Sequence, residues 1–318
     1  MELRHLRYFV AVAEELHFGR AARRLNMAQQ PLSRQVRNLE TELEVQLLYR
    51  TKRTVRLTAA GEAFFKEAQK VLAQANYAAS VAKRTSRGEV GLFRVGFSGI
   101  VLNSILPAIV RRFRLQFPDV HLELTRIQTN EQVKALVEGE IHAGLLHPPF
   151  DTSLLSYEVI HQEPLLAIIP DIHRLANDAP SPISIEQLST EPLVLFPRKI
   201  GPVLYDAIIA FCQRAGFSPN IVQEVFPQRT ILGLVAAGIG ITVTHASAWQ
   251  IRQQGVVARP IVEETPVVET AIAWRSDTLH PASLHFLDVA RSLSQDSSLA
   301  SPFQLTGSGL YPSAFKSY

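Results

Sequence analysis

The period of the apolar residues changes once, at Arg87-Gly88-Glu89, and the change divides the chain into regions that cannot share one architecture. Before it, apolar positions recur at helical spacing, apart from a short hairpin pattern near residues 47–57. After it, strand-like and helix-like runs alternate. A chain of 318 residues is also long for one compact core and suits two or three units.

In the second region strands are expected at 92–97, 121–125, 141–146, 165–169, 193–196, 221–225, 239–244 and 270–274. Helices are expected at 104–117, 131–138, 203–215, 229–237 and 281–294. Such alternation predicts an α/β architecture with mainly parallel sheets, in one or two lobes. Ligands in these folds bind where strand carboxyl ends meet helix amino ends. Three turns stand at such ends: Ser98-Gly99-Ile100, Gln128-Thr129-Asn130, and the loop from Pro197 to Val203 that includes Pro202. The hydroxyls of Ser98 and Thr129 suit a carboxylate or serve as helix caps. Arg198 and Lys199 add charge to a pocket or face solvent.

The first region holds "FGRAARRLNMAQQPLSRQVRNLE", residues 18–40. Leu32, Val36, Leu39 and Leu43 step by 4, 3 and 4, the buried side of a helix. Gln30, Ser33, Arg34 and Arg37 share the opposite side and include no acid. Pro31 fits a first helical turn and discourages helix at Gln30. Upstream, Ala21, Ala22 and Leu25 form a compact helical face, and Asn26 tolerates the left-handed backbone that ends a helix tightly. Small residues at a helix crossing, a turn, and a second helix with long hydrogen-bonding side chains are what a helix-turn-helix requires. Arginine can bind guanine in a bidentate way and glutamine adenine. Next, runs at 47–50 and 55–57 flank a basic turn, a wing that would lay Arg50, Lys52, Arg53 and Arg56 against phosphates.

Thr58 can cap a helix from Ala59 onward, and residues 59–87 contain no proline. Phe65, Ala68, Leu72, Ala75, Ala79 and Ala82 step by 3 and 4 along it, a coiled-coil seam made mostly of alanine. Roughly 40 Å long at 1.5 Å per residue, this helix would leave the seam bare unless a second chain covers it. The organisation expected is therefore a head over 1–58, a dimerisation helix over 59–88, an α/β region over 89–296, and a loosely ordered serine-rich tail over 297–318.

Charge follows the same division. Residues 1–58 carry 11 Lys/Arg against 6 Asp/Glu, whereas the remainder carries 21 against 23, so the head alone suits a polyanion. No apolar run of about 18 residues appears, and no secretory cleavage site follows the start, so a soluble, cytoplasmic chain is expected. The single Cys212 cannot form an internal disulfide, in keeping with a reducing compartment. Enzyme signals are poor. "GFSGI" lacks the second glycine of a nucleophile elbow, "GIGITV" lacks the last glycine of a dinucleotide loop, and the ten histidines include no pair at metal-ligand spacing. His147 therefore reads as structural or pocket-lining, and no catalytic group, metal or cofactor is expected.

The segments "MELRHLRYFVAVAEE", "RAARRLNMAQQPLSRQVRNLE", "LLYRTKRTVRLTAAGEAF" and "LVAAGIGITV" resemble the LysR-type transcriptional regulators over residues 1 to about 295, nearest the branch that regulates benzoate, catechol and chlorocatechol degradation. The resemblance implies a winged helix-turn-helix, a dimerising linker helix, and an effector domain of two α/β lobes like periplasmic binding proteins. By that likeness one lobe comprises about 89–162 with 268–296 and the other about 163–267. It further implies a dimer of dimers on double-stranded promoter DNA, with RNA polymerase as partner there and a small-molecule effector between the lobes. By position, Gln29, Ser33 and Arg34 fall where the family contacts bases and phosphates; Thr129 and Pro202 fall in the effector cleft, beside Val203. Three positions depart from the pattern: Ala28 replaces a frequent capping serine, Ile100 a serine or threonine, and His147 an arginine of some relatives. The first bears on the start of the helix; the departures at Ile100 and His147 point away from muconate-type effectors and towards a less charged ligand. A competing reading makes the chain a solute-binding module whose head only assembles it.

Overall fold

The computed structural model describes residues 1–51, 54–294, 303–306 and 309–312. These form two compact units, 1–86 and the remainder from Arg87.

In the first unit, α1 (Leu3–Glu15), α2 (Phe18–Arg24) and α3 (Gln29–Leu43) precede a hairpin of β1 (Leu48–Arg50) and β2 (Val55–Leu57), then α4 (Ala59–Ser86). The core is Phe9, Val12, Ala21, Ala22, Leu32, Val36, Leu39, Leu47 and Leu48, so the helical spacing of the sequence is the packed face. Asn26 takes φ 51° after α2. Pro31 lies in the first turn of α3, as expected, but it does not keep Gln30 out of the helix: α3 begins two residues before the proline, at Gln29. First-turn N–H groups have no intrahelical partner, so proline costs nothing there. Thr58 caps α4, its Oγ1 accepting the Gly61 N–H at 2.9 Å. A Cβ on Gly61 would lie 2.0 Å from the Leu47 carbonyl oxygen, so only glycine admits this approach of α4 to the hairpin.

The second unit contains two sheets. In the first, β4 (Val120–Arg126), β3 (Gly91–Phe97), β5 (Ala143–Leu146), β12 (Val268–Arg275) and β6 (Leu155–Glu163) lie in that order. In the second, β10 (Thr242–His245), β7 (Leu165–Pro170) and β11 (Val256–Pro260) are joined through a Leu193↔Ile241 bridge to the pair β8 (Pro192–Leu195) and β9 (Asn220–Glu224). Helices cover both faces. On the first sheet α6 (Leu106–Gln116) and α10 (Pro281–Ser294) share a core with Phe93 and Val95, while α7 (Thr129–Val137) packs on the other face through Leu136. On the second, α8 (Pro202–Arg214) and α9 (Gln228–Ala236) lie opposite each other, against Leu193 and Val194 respectively. The unbroken run of β7, "LLAIIP", is buried throughout, as a doubly covered strand must be.

The expectation of mainly parallel sheets is wrong. Among the described residues parallel ladders join only β3 to β4 and β5, and β8 to β9, with two isolated parallel bridges, Leu193↔Ile241 and Ile183↔Ile261; β12 and β7 pair antiparallel with their neighbours. The chain leaves the first sheet at Glu163-Pro164 and re-enters it on β12, which runs antiparallel to both β5 and β6. The helix expected over 104–117 is α6, which starts two residues later, and a short α5 (Gly99–Asn103) that the sequence did not announce precedes it. In the tail, β13 (Phe303–Thr306) pairs antiparallel with β14 (Gly309–Pro312). The tail's remaining residues lie outside the described ones.

Candidate functional site

The exposed face of α3 is the first candidate. Gln29, Gln30, Pro31, Arg34 and Arg37 are exposed and Ser33 is half-buried, opposite the core side of the helix. Neither Arg34 nor Arg37 forms a salt bridge among the described residues, whereas Arg20 and Arg24 are held by Glu15 and Glu14 at 3.1 and 2.6 Å. The N-cap Ala28 offers no side-chain cap and the first turn contains no acid, so its free N–H groups face solvent with the positive end of the helix dipole.

The wing residues divide. Arg56 is exposed on β2, and Lys52 and Arg53 lie outside the described residues. Arg50 departs from the expected phosphate role. Its guanidinium pairs with Glu40 and lies 5.2 Å from the Phe18 ring centroid, while the other Glu40 oxygen accepts the N–H groups of Leu47 and Leu48 at 3.0 Å each. A cation tied to a half-buried carboxylate braces the hairpin onto α3. Arg50→Ala is accordingly expected to lower the melting temperature of the head, by about 1–3 kcal/mol of stability, with little change in the salt dependence of DNA binding. Arg56→Ala should do the reverse, lowering the slope of log K against log salt by about one per subunit. Salt titrations of both variants check the contrast.

The expected seam of α4 is only partly free. Ala68 is buried and Phe65 half-buried against the head's own core, beside Phe64, whose ring meets Phe9 edge-on at 5.2 Å. Leu72 and Ala75 are half-buried, and Ala79 and Ala82 are exposed together with Val71 and Tyr77. The stripe therefore changes its role along the helix: the early positions anchor α4 to α1, and the later ones remain without cover.

The second unit contains a cavity of about 670 Å³ at the ends predicted for ligands. Ser98, Gly99, Ile100, Thr129, His147, Pro202 and Val203 all line it. Arg198 does not: its guanidinium grips Asp206 through two 2.7 Å hydrogen bonds at the surface, and the adjacent Lys199 lines the cavity instead. The lining also includes Arg126, Phe226, Gln228, Arg229 and His245, none of them singled out from sequence. Phe226-Pro227-Gln228 is a fourth strand-end turn, preceding α9 as the other three precede their helices, and that pattern would have found it.

Neither hydroxyl acts as a cap. Thr129 is the first residue of α7, which Gln128 caps in a reciprocal arrangement with Glu131. Ser98 directs its hydroxyl to His147, with Oγ 2.6 Å from Nε2, and Nδ1 of that ring lies 2.8 Å from the Glu269 carbonyl oxygen. Burial pushes His147 below its ordinary value, partly offset by the Glu269 carbonyl. Gly99 makes room for Arg126, since a Cβ there would lie 2.7 Å from Nη2; the same guanidinium sits 5.7 Å from the Phe226 ring centroid.

Beneath the cavity, where the chain passes between sheets, Glu163 is fully buried. It accepts the Ser247 N–H at 2.5 Å and the Ser247 hydroxyl at 3.0 Å, with His245 Nδ1 3.9 Å away. Burial alone would raise its carboxyl, but His245 and the Ser247 N–H outweigh that and hold it below the usual range. Nearby, burial lowers His161. Just before the central strand β5, His142 stacks on His280 at 4.1 Å; burial, then His280 and Arg94, push His142 down to about 4, and burial with Arg94 lowers His280.

These shifts fix a sign. The unfolded chain protonates histidine near its ordinary value of about 6.5, whereas these four rings stay neutral in the native state to lower pH. Stability is full above that value and declines as pH falls towards 4, each ring that stays neutral contributing a slope approaching about 1.4 kcal/mol per pH unit. Denaturant titrations at pH 7, 6 and 5 should show the decline; a flat profile would refute it.

A helix-turn-helix with an unpaired cationic face, in one chain with a cavity framed by two helix-covered sheets, defines a ligand-responsive DNA-binding regulator. Comparison with known families agrees: residues 3–62 match the bacterial regulatory helix-turn-helix proteins of the lysR family, and residues 86–295 match the LysR substrate binding domain. The chain belongs to the LysR family of transcriptional regulators, which are not enzymes. It is 44% identical to the HTH-type transcriptional regulator AlsR of Bacillus subtilis (strain 168), over 91% of this chain and 95% of the relative. It is 36% identical to the HTH-type transcriptional regulator TfdS of Cupriavidus pinatubonensis (strain JMP 134 / LMG 1197), over 92% and 98%. Among solved structures, CbnR, a LysR family transcriptional regulator, superposes with a TM-score of 0.83 at 31% identity, covering 92% of this chain and all of that one. Full-length CbnR with its target DNA superposes at 0.78 and 30% identity, covering 93% of this chain and all of that one. No helix among the described residues is long and apolar enough to cross a membrane.

Proposed function

We propose that the chain controls a promoter from the cytoplasm as a homo-oligomer, with the cavity of the second unit reporting a small metabolite to the head. Gln29, Gln30, Ser33, Arg34 and Arg37 on α3 read base edges, while Arg56, Lys52 and Arg53 supply phosphate contacts. The uncovered second half of α4, from Val71 to Ala82, joins two chains, and two such pairs make a dimer of dimers. Ligand binding shifts a population of arrangements, alters the bend imposed on the promoter, and so changes the productive contact with RNA polymerase. Metabolites of aromatic catabolism fit a cavity whose lining combines Phe196 and Phe226 with cations.

The observation that carries the reading is the cavity itself, in which residues from both sheets meet at strand ends and helix starts. A reporter driven by the protein's own upstream region tests it, with and without single metabolites. The reading expects at least one ligand that binds the purified protein also to change reporter output, and Val203→Trp, which adds bulk to the lining, to remove that response. Ligands that bind tightly yet never change output would overturn it.

A further inference from the structure

The lining has an unusual charge balance. Arg126, Lys199 and Arg229 face a single acid among the described lining residues, Glu269, whose carboxylate is taken by Gln162 Nε2 at 2.7 Å. None of the three cations forms a salt bridge among the described residues. Gln228 contributes a buried Nε2 with no hydrogen-bond partner. Both α8 and α9 begin at the cavity with no side-chain cap and no acid in their first turns. Unpaired donors and cations against an apolar wall are a site short of an anion.

The opposite polarity stands next to it. A carbonyl oxygen can only accept, so His147 Nδ1 carries the proton shared with Glu269. The neutral ring then has a bare Nε2, and the Ser98 hydroxyl donates to it across 2.6 Å. With its proton committed, Ser98 Oγ offers a ligand only lone pairs. A carboxylate oxygen would be repelled there, whereas a ligand hydroxyl would find an acceptor. Ser98 adjoins Gly99, over which Arg126 packs, so the acceptor and the cation are neighbours.

We propose that the cavity is selective for a small hydroxy-carboxylate, with Arg126 above Gly99 holding the carboxylate and Ser98 Oγ accepting the nearby hydroxyl. The proposal rests on the regulatory reading, since it assigns the chemistry of the same cavity. His147 is a positioning residue here: it acts through Ser98 by fixing which atom carries the proton. Ile100, Val203 and Phe226 supply apolar surface for the ligand body.

Calorimetric titration of the intact protein with matched probes decides the matter: mandelate against phenylacetate, salicylate against benzoate, and mandelamide as the uncharged control. In at least one pair the hydroxy acid binds about tenfold tighter than its deoxy partner, the worth of one well-formed hydrogen bond, and mandelamide binds more weakly than mandelate. Ser98→Ala removes the preference within that pair, and Arg126→Gln weakens both acids alike. Nitrogen-15 NMR of the histidines adds a readout that needs no variant and finds the His147 proton on Nδ1. Equal or tighter binding of the deoxy acids, absence of binding by all the acids, or a proton on Nε2 overturns the proposal. A hydroxy acid that binds selectively but leaves reporter output unchanged upholds the ligand class and overturns the regulatory reading instead.

Discussion

An Arg34→Ala protein is expected to lose about ten- to a hundredfold in affinity for its own operator at each half-site, because a bidentate guanidinium contact to a base discriminates by about 1–3 kcal/mol. The side chain is exposed on α3 and pairs with no carboxylate among the described residues, so its removal should leave stability within about 0.5 kcal/mol. Affinity for a shuffled duplex should fall far less, since the wing and the start of the helix still bind phosphate. Arg34→Lys sharpens the test: it retains charge but not the planar fork, so non-specific binding recovers and operator preference does not. Anisotropy titrations with operator and shuffled duplexes at one salt concentration separate the two. If Arg34→Ala bound its operator as wild type does, the head would be an assembly device only, and the solute-binding reading would gain.

The second large effect is expected at Glu163. Its carboxylate is fully buried and satisfies both the N–H and the hydroxyl of Ser247, near His245, where the chain passes from one sheet to the other. Removing one member of such a cluster leaves the others desolvated and without partners, so Glu163→Ala should destabilise the second unit by about 3–5 kcal/mol. Glu163→Gln retains an acceptor oxygen and should cost less. Because the carboxyl is held below its usual range, its contribution is present above about pH 4.5 and is lost as pH falls through the native value. Chemical denaturation followed by near-ultraviolet circular dichroism of Trp249 and Trp274, both in the second unit, reads the effect. A change below about 1 kcal/mol in Glu163→Ala would mean that the cluster is incidental to stability.

Elements with one dominant period were legible in advance. The α3 spacing, the proline-free α4 and the run "LLAIIP" each follow from local pattern, and α10 was placed at its observed limits. Elements whose pattern is broken by tertiary demands were not. The strand β6, "LSYEVIHQE", contains two acids and a histidine, and β11 holds a buried Arg259 that donates to the Ser181 carbonyl at 2.5 Å. Neither looks like a strand until its neighbours are known. The mixed direction of the sheets depends on where the chain returns, which no local spacing encodes. The same holds for the sites: turns between a strand and a helix marked Ser98, Gly99, Ile100, Thr129, Pro202 and Val203 of the cavity, but the bond of Arg198 to Asp206, the brace of Arg50 on Glu40 and the use of Ala68 inside the head are pair properties. Sequence spacing identified cations; only packing tells which are already taken.

In the proposed function a surface of the head recognises DNA under the influence of a molecule held in the second unit. Hydroxyl-radical footprinting of duplex from the protein's own upstream region, at moderate ionic strength and with and without a ligand shown to bind, tests it most directly. Two protected half-sites are expected, one helical turn or a whole multiple of it apart, whose extent changes when the ligand is added. Unprotected duplex, or a footprint identical in both conditions, would contradict it.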